Sequence, residues 1–103
     1  MTTYNITYFF NNDISGVTGI NGASPRQVKT TINDLPTLTK QRNTLQYLCY
    51  KKGIDDALLT ENQMLDCYRI LVTCGTNSKH THGFKKDFDY TSSDAMGNLF
   101  SVL

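Results

Sequence analysis

The sequence lacks an excess of charge of either sign, and this absence already excludes two classes of protein. Among its 103 residues, ten Lys and Arg stand against nine Asp and Glu. Such a balance leaves no net field to attract a polyanion, and it is equally unsuited to an acidic mimic of DNA. We therefore do not expect nucleic acid to be the partner of this protein.

Long apolar runs are also missing. Those present, such as 8–10 and 70–72, cover only a few residues, far short of the roughly 20 that span a bilayer. The first ten residues contain neither the basic stretch nor the uninterrupted apolar core of a secretory signal. We expect no membrane segment and a cytosolic location.

Cysteine and glutamate are scarce. Cys49, Cys67 and Cys74 form an odd set without a CxxC pair, which is typical of reduced thiols in the cytosol rather than of a disulfide framework. Glutamate occurs only as Glu61 in a chain rich in Asn and Thr, a bias that resembles the codon usage of an AT-rich genome. The length predicts one compact domain over residues 1–103 with a modest core.

Alternating apolar and polar residues predict strands near both ends, at about 3–11 and 81–91. We expect these terminal strands to pair with each other, with a weaker, glycine-containing strand at 14–20 alongside. The segment 25–33 is ambiguous. Ser24-Pro25 favours a helix start, which we prefer, whereas the β-branched residues that follow favour a strand.

Two helices are predicted between the strands. The first covers about 38–52 and ends at Gly53. The second covers about 61–74, begins with a capping box formed by Thr60 and Gln63, and ends at Gly75. A short C-terminal helix follows at 94–100. The sequence thus predicts an α+β fold in which a helical hairpin covers the aromatic face of a small, mostly antiparallel sheet, leaving the other face polar.

A glycine-rich loop is the strongest candidate for a ligand site. It has a glycine at every third position and leads into a possible helix start, so its N–H groups, the helix dipole and nearby cations could bind a phosphate. The spacing matches no established phosphate motif, and a series of turns explains the glycines as well. The candidate ligand residues are Gly16, Gly19, Gly22, Ser24, Arg26 and Lys29.

A basic and aromatic patch on the last strand is the second candidate. It contains Lys85, Lys86 and Tyr90, with Lys79 and Phe84 nearby. Such surfaces can stack single-stranded bases, but Asp87 and Asp89 offset the charge of this strand. We keep Lys85, Lys86 and Tyr90 as candidate contacts to a protein partner.

Other motifs fail on spacing. His80, His82 and Cys74 lack a fourth zinc ligand, and Cys67 and Cys74 would be about 10.5 Å apart along the predicted helix, too far to chelate one ion. The carboxylate pairs Asp55-Asp56 and Asp87/Asp89 have no histidine at a recognisable spacing. A helix-turn-helix over 45–62 would have too long a connector and too few cations. We predict no catalytic residue, metal or cofactor.

By elimination, the sequence predicts a small non-catalytic binding protein that acts through a macromolecular partner, most simply another protein. Its compactness and skewed composition are typical of viral or mobile-element proteins that inhibit a host factor. A homodimer is also expected, because a small sheet leaves an edge that needs covering. The alternative is a binder of a phosphorylated small molecule or nucleotide at the glycine-rich loop. An enzymatic function is the hypothesis that the sequence supports least.

Overall fold

The structure, a computed structural model, describes residues 3–17, 24–33 and 45–85. It has an α+β fold, as predicted. Over these residues, four antiparallel strands lie in the order β2-β1-β3-β4. The elements are β1 (Thr3–Phe10), β2 (Gln27–Asn33), α1 (Leu45–Ala57), α2 (Glu61–Leu65), β3 (Cys67–Cys74) and β4 (Asn77–His82).

The core lies on one face of the sheet. Strand β1 contributes the predicted aromatic and aliphatic face, and Ile70 and Val72 of β3 extend it. Helix α1 covers this face, since the Tyr8 hydroxyl donates a hydrogen bond to the Cys49 carbonyl and Tyr50 packs edge-on against Phe84 with ring centroids 4.9 Å apart. The prediction that helices cover the aromatic face is confirmed. The fully buried side chains of this core are Tyr8, Phe10, Ile6, Met64, Ile70, Val28, Val72 and Cys49.

Strand β1 confirms the first predicted strand, but its neighbours differ from the prediction. The segment 25–33 is not a helix: it forms β2, which pairs with β1 and buries Val28 and Ile32. Its β-branched residues fit a pleated backbone, and their preference outweighs the Ser-Pro start signal. The predicted strand at 14–20 is absent over 14–17, where the Val17 amide donates to the Ile14 carbonyl in a turn.

Gly53 does not end the first helix, contrary to prediction. A β-carbon at Gly53 would lie 2.5 Å from the terminal methyl of Met64 and 3.5 Å from the Tyr8 ring. The glycine therefore allows α1 to approach α2 and the sheet closely. The left-handed residue after the helix is Leu58, with φ 56°, a position that glycine usually occupies. Residues 38–44 of the predicted helix lie outside the described residues.

The second predicted helix, 61–74, is wrong beyond its first turn. The capping box is present: the Gln63 amide donates to the Thr60 hydroxyl, and the Thr60 amide donates to the Gln63 side chain. The helix ends at Leu65, however, and 67–74 forms β3 between β1 and β4. Gly75, with φ 61°, occupies the first position of the two-residue β3–β4 turn instead of ending a helix.

The second terminal strand is also displaced. In the described residues, strand β4 spans Asn77–His82 and pairs with β3. Strand β1 pairs with β2 on one side and β3 on the other, so the predicted pairing of the two terminal strands is wrong. Gly83 interrupts the predicted alternation. Its amide donates to the Tyr68 carbonyl at 3.0 Å, and a β-carbon there would lie 1.8 Å from the Cys67 carbonyl oxygen. Residues 86–91 and the predicted C-terminal helix lie outside the described residues.

Candidate partner-binding face

The sheet has a second, outward face, which we call the open face. Because directly paired residues of an antiparallel sheet share a face, the strand register assigns its members. Each of them is exposed or half-buried. The open face consists of Thr3, Asn5, Thr7, Phe9, Gln27, Lys29, Thr31, Asn33, Arg69, Leu71, Thr73, Ser78, His80 and His82.

An aromatic and cationic cluster lies at one end of the open face. The guanidinium carbon of Arg69 is 4.3 Å from the centroid of the Phe9 ring. The Phe9 and Tyr68 rings are 6.5 Å apart at an interplanar angle of 48°. Tyr68 is 50% exposed. We call Phe9, Tyr68 and Arg69 the Phe9 cluster.

A bulge in β3 produces this arrangement. Phe9 pairs with Arg69 and Phe10 pairs with Cys67, so Tyr68 is an extra residue in β3. Bulges of this kind redirect a side chain out of the regular pleat. Here the redirected tyrosine lies beside Phe9, and one end of a mostly polar face becomes aromatic.

The charge of the open face has one sign. Lys29 and Arg69 are its permanent cations, His80 and His82 lie on the same face of β4, and no open-face residue is an Asp or Glu. The acidic residues that the structure describes lie in loops and helices, at Asp13, Asp55, Asp56, Glu61 and Asp66. The near-neutral chain is thus locally cationic on this surface.

Beside the cationic Lys29 there is a shallow, open depression between β1 and β2. Asn5, Thr7, Lys29 and Thr31 contribute to its lining. These hydroxyl and amide groups can donate or accept hydrogen bonds. The depression therefore offers polar contacts next to the Phe9 cluster, because Thr7 lies two residues before Phe9 on β1.

The residues predicted for a phosphate loop are only partly described. Gly16, Ser24, Arg26 and Lys29 are described, whereas Gly19 and Gly22 lie outside the described residues. Arg26 precedes a strand rather than a helix, so no helix dipole supports the predicted site. Asp13 lies close enough to Arg26 for their charges to interact. The pKa of the Asp13 carboxyl is lowered mainly by hydrogen bonds from the backbone and hydroxyl of Ser15, with Arg26 contributing less.

The predicted basic and aromatic patch is only partly described. Lys85 is exposed, but Phe84 is only 5% exposed and packs against Tyr8 and Tyr50, so it offers no ring for stacking. Lys86 and Tyr90 lie outside the described residues. Among the described residues, aromatic and basic groups meet at the surface in the Phe9 cluster.

The thiols and histidines are not gathered into a reactive centre in the part of the chain that the structure describes. No three His, Cys, Asp or Glu residues there are placed to hold a metal ion. All three cysteines are free thiols. Burial raises the pKa of Cys49 far above its ordinary value and that of Cys67 to about 12. Cys67 and Cys74 lie at opposite ends of β3, not on one helix.

Sequence reasoning missed the Phe9 cluster, although one signal for it was available. The other outward positions of β1 are Thr3, Asn5 and Thr7, so Phe9 is the one large apolar side chain among polar neighbours. Arg69 and Tyr68 had no such signal, because 61–74 was interpreted as a helix.

Neither the membrane-spanning potential of the described helices nor similarity to known proteins identifies a function. Neither α1 nor α2 has the length and apolar character that a bilayer span requires. Comparison with protein-family models, with curated proteins and with solved structures found no match for this chain.

Proposed function

We propose that this chain is a non-catalytic binding protein whose open face docks on a protein partner. The observation that carries the proposal is the Phe9 cluster: a half-exposed tyrosine and an arginine held against a phenylalanine on the open face. Tyr, Phe and Arg are enriched in protein interfaces, and Tyr and Arg are enriched among the few residues that dominate binding energy. Inhibition of a host factor, as by a viral or mobile-element protein, is an activity that such a surface could perform without chemistry.

The thiols support a binding role over nucleophilic catalysis. The thiolate is the reactive form of cysteine, and burial keeps Cys49 and Cys67 protonated near neutral pH. Cys74 is half-buried, and no described His, Asp or Glu joins it in a cluster. The proposal therefore rests on surface complementarity.

Affinity capture from the native host, with wild-type and variant proteins compared side by side, tests the proposal. The double variant Tyr68→Ala/Arg69→Ala should lose a specific partner, because truncating central interface residues typically costs about 2 kcal/mol or more each. Leu58→Ala is the matched control. Leu58 is 60% exposed, like Tyr68 a large exposed apolar residue, but it lies between α1 and α2 rather than on the sheet.

Two results would contradict the proposal. The first is a partner retained equally by wild type and by the double variant. The second is stabilisation by a nucleotide or another phosphorylated metabolite in a thermal-shift screen, where ligand at 100 times its Kd adds about 2.7 kcal/mol to folding stability. Loss of that shift in Arg26→Ala would assign the ligand to the glycine-rich loop instead.

A further inference from the structure

We infer that the partner of the open face is an acidic protein segment, with one carboxylate on Arg69 and a second near Lys29. This inference rests on the proposed function and specifies its partner. Neither Lys29 nor Arg69 has an ion-pair partner among the residues that the structure describes, whereas Lys51 on α1 pairs with Asp55. Both cations are exposed, and the open face contains no carboxylate to offset them.

The geometry at Arg69 suits a carboxylate. The guanidinium is held against the Phe9 ring, so part of its conformational freedom is already lost before a partner binds. Guanidinium groups bind carboxylates through two parallel hydrogen bonds, and an arginine fixed in place loses less entropy when it does so. Tyr68, beside the same ring, supplies apolar area and a hydroxyl next to that ion pair.

The strand register sets the spacing of the two anions. Arg69 pairs with Phe9, whereas Lys29 pairs with Thr7, two residues away along β1 and on the far side of it. Two inter-strand spacings and two residues of rise place the Cα atoms of Lys29 and Arg69 about 12 Å apart. An extended segment with acidic residues four positions apart spans that distance at about 3.3 Å per residue, and this even spacing places both side chains on the same side of the segment.

Single-stranded nucleic acid fits this face less well. Each phosphate neutralised by a cation contributes a salt-dependent increment of affinity, and only Lys29 and Arg69 carry permanent charge here. Base stacking also needs an open ring, and Arg69 covers one side of Phe9.

A second copy of the chain fits less well for a different reason. Two open faces brought together would present cations to cations with no carboxylate between them, and like charges across an interface oppose association.

Selection from a display library of random 12-residue peptides on the immobilised full chain tests the inference. Recovered peptides should be enriched in Asp and Glu, and Arg69→Glu and Lys29→Glu should each weaken the best peptide's Kd tenfold or more. Lys51→Glu makes the same change in net charge on exposed α1, and it should leave Kd within twofold. Circular dichroism of each variant verifies that the fold is retained, and the Lys29 variant keeps the test valid if Arg69→Glu does not fold.

The possible outcomes separate this inference from the function on which it rests. Selected peptides without acidic residues that still require Tyr68 would overturn the acidic partner and leave the open face as a docking site. If Lys51→Glu weakens the peptide's Kd as much as Arg69→Glu and Lys29→Glu do, the weakening comes from the net charge of the protein rather than from the open face. That result would overturn the inference. If a 15-nucleotide oligo(dT) or oligo(U) probe binds more tightly than any peptide, the partner of the open face is single-stranded nucleic acid and not an acidic protein segment. Peptides that ignore every open-face variant would overturn both proposals.

Discussion

At the scale of single residues, Gly83 is the position where a side chain is least tolerated. Its β-carbon would lie 1.8 Å from the Cys67 carbonyl oxygen, which belongs to the backbone and cannot rotate away. We expect Gly83→Ala to lower the free energy of unfolding by about 2 to 4 kcal/mol, as forced overpacking does. Urea denaturation measures this loss.

Gly16→Ala is the matched control for Gly83→Ala. Nothing lies within 4 Å of a β-carbon at Gly16, so its stability should stay within about 1 kcal/mol of the wild type. Equal stability of the two alanine variants would show that β3 and the segment after β4 do not approach as closely as described.

Leu58 has a backbone conformation that residues with a side chain rarely adopt. Its φ of 56° lies in the left-handed region, which a side chain makes costly. Leu58→Gly should therefore raise the free energy of unfolding by about 0.5 to 1 kcal/mol, after allowance for the greater freedom of glycine in the unfolded chain. Leu58→Ala keeps the left-handed strain and should give no such gain. Thermal and urea denaturation of the two variants distinguish backbone relief from loss of an exposed side chain.

The three thiols should differ in reactivity according to their burial. Cys49 and Cys67 are buried and have raised pKa values, whereas Cys74 is half-buried. At pH 8 a thiol reagent such as DTNB should modify at most Cys74 in the native protein and all three cysteines in denaturant. Cys74→Ser should abolish the native reaction, and rapid native labelling of Cys67 would contradict the described packing.

The raised thiol pKa values also fix the sign of a pH effect on stability. The ordinary thiol pKa is 9.0, and that of Cys67 in the folded protein is about 12. Between these values the unfolded chain releases a proton that the folded chain retains, so the contribution of Cys67 to stability is complete below pH 9 and declines as the pH rises toward 12.

At the scale of elements, the spacing of apolar residues predicted secondary structure correctly where it fitted only a helix or only a strand. It failed where the same residues fitted both. Strand β1 alternates without interruption. The stretch 65–74, by contrast, satisfies both patterns: Leu65, Tyr68 and Leu71 recur at helical spacing, while Ile70 and Val72 alternate. Pairing with β1 and β4 selects the strand. Those partners are distant in sequence, so the segment alone could not decide between the two structures.

The capping box was predicted correctly because it depends only on four consecutive residues. Thr60→Ala removes the hydroxyl that accepts from the Gln63 amide at 3.2 Å. We expect a loss of about 1 kcal/mol in the free energy of unfolding. Thr60→Ser keeps the oxygen and should retain most of the stability. An unchanged melting temperature in Thr60→Ala would mean that α2, only five residues long, needs no cap once Met64 is buried.

At the scale of the whole molecule, composition concealed the feature that carries the proposed function. A formal net charge of +1 excluded a strong overall field, but it did not reveal that the described carboxylates avoid the open face. The separation of carboxylates from the open face depends on the register of four strands. Lys29 on β2 and Arg69 on β3 lie on the same face because both strands pair with β1. The aromatic face of β1 could be read from sequence, whereas the site could not.

The predicted homodimer also belongs to this scale, and the structure constrains how it could form. Strands β2 and β4 are the edges of the described sheet, and edges invite strand pairing between copies. The open face has no carboxylate to meet its cations, so we expect a dimer to join through an edge. Native mass spectrometry should then detect a dimer whose fraction is the same in wild type and Arg69→Glu. A purely monomeric spectrum would refute the dimer. A larger dimer fraction in Arg69→Glu would place the contact between copies on the open face, because the new glutamate could pair there with Lys29 of the second copy.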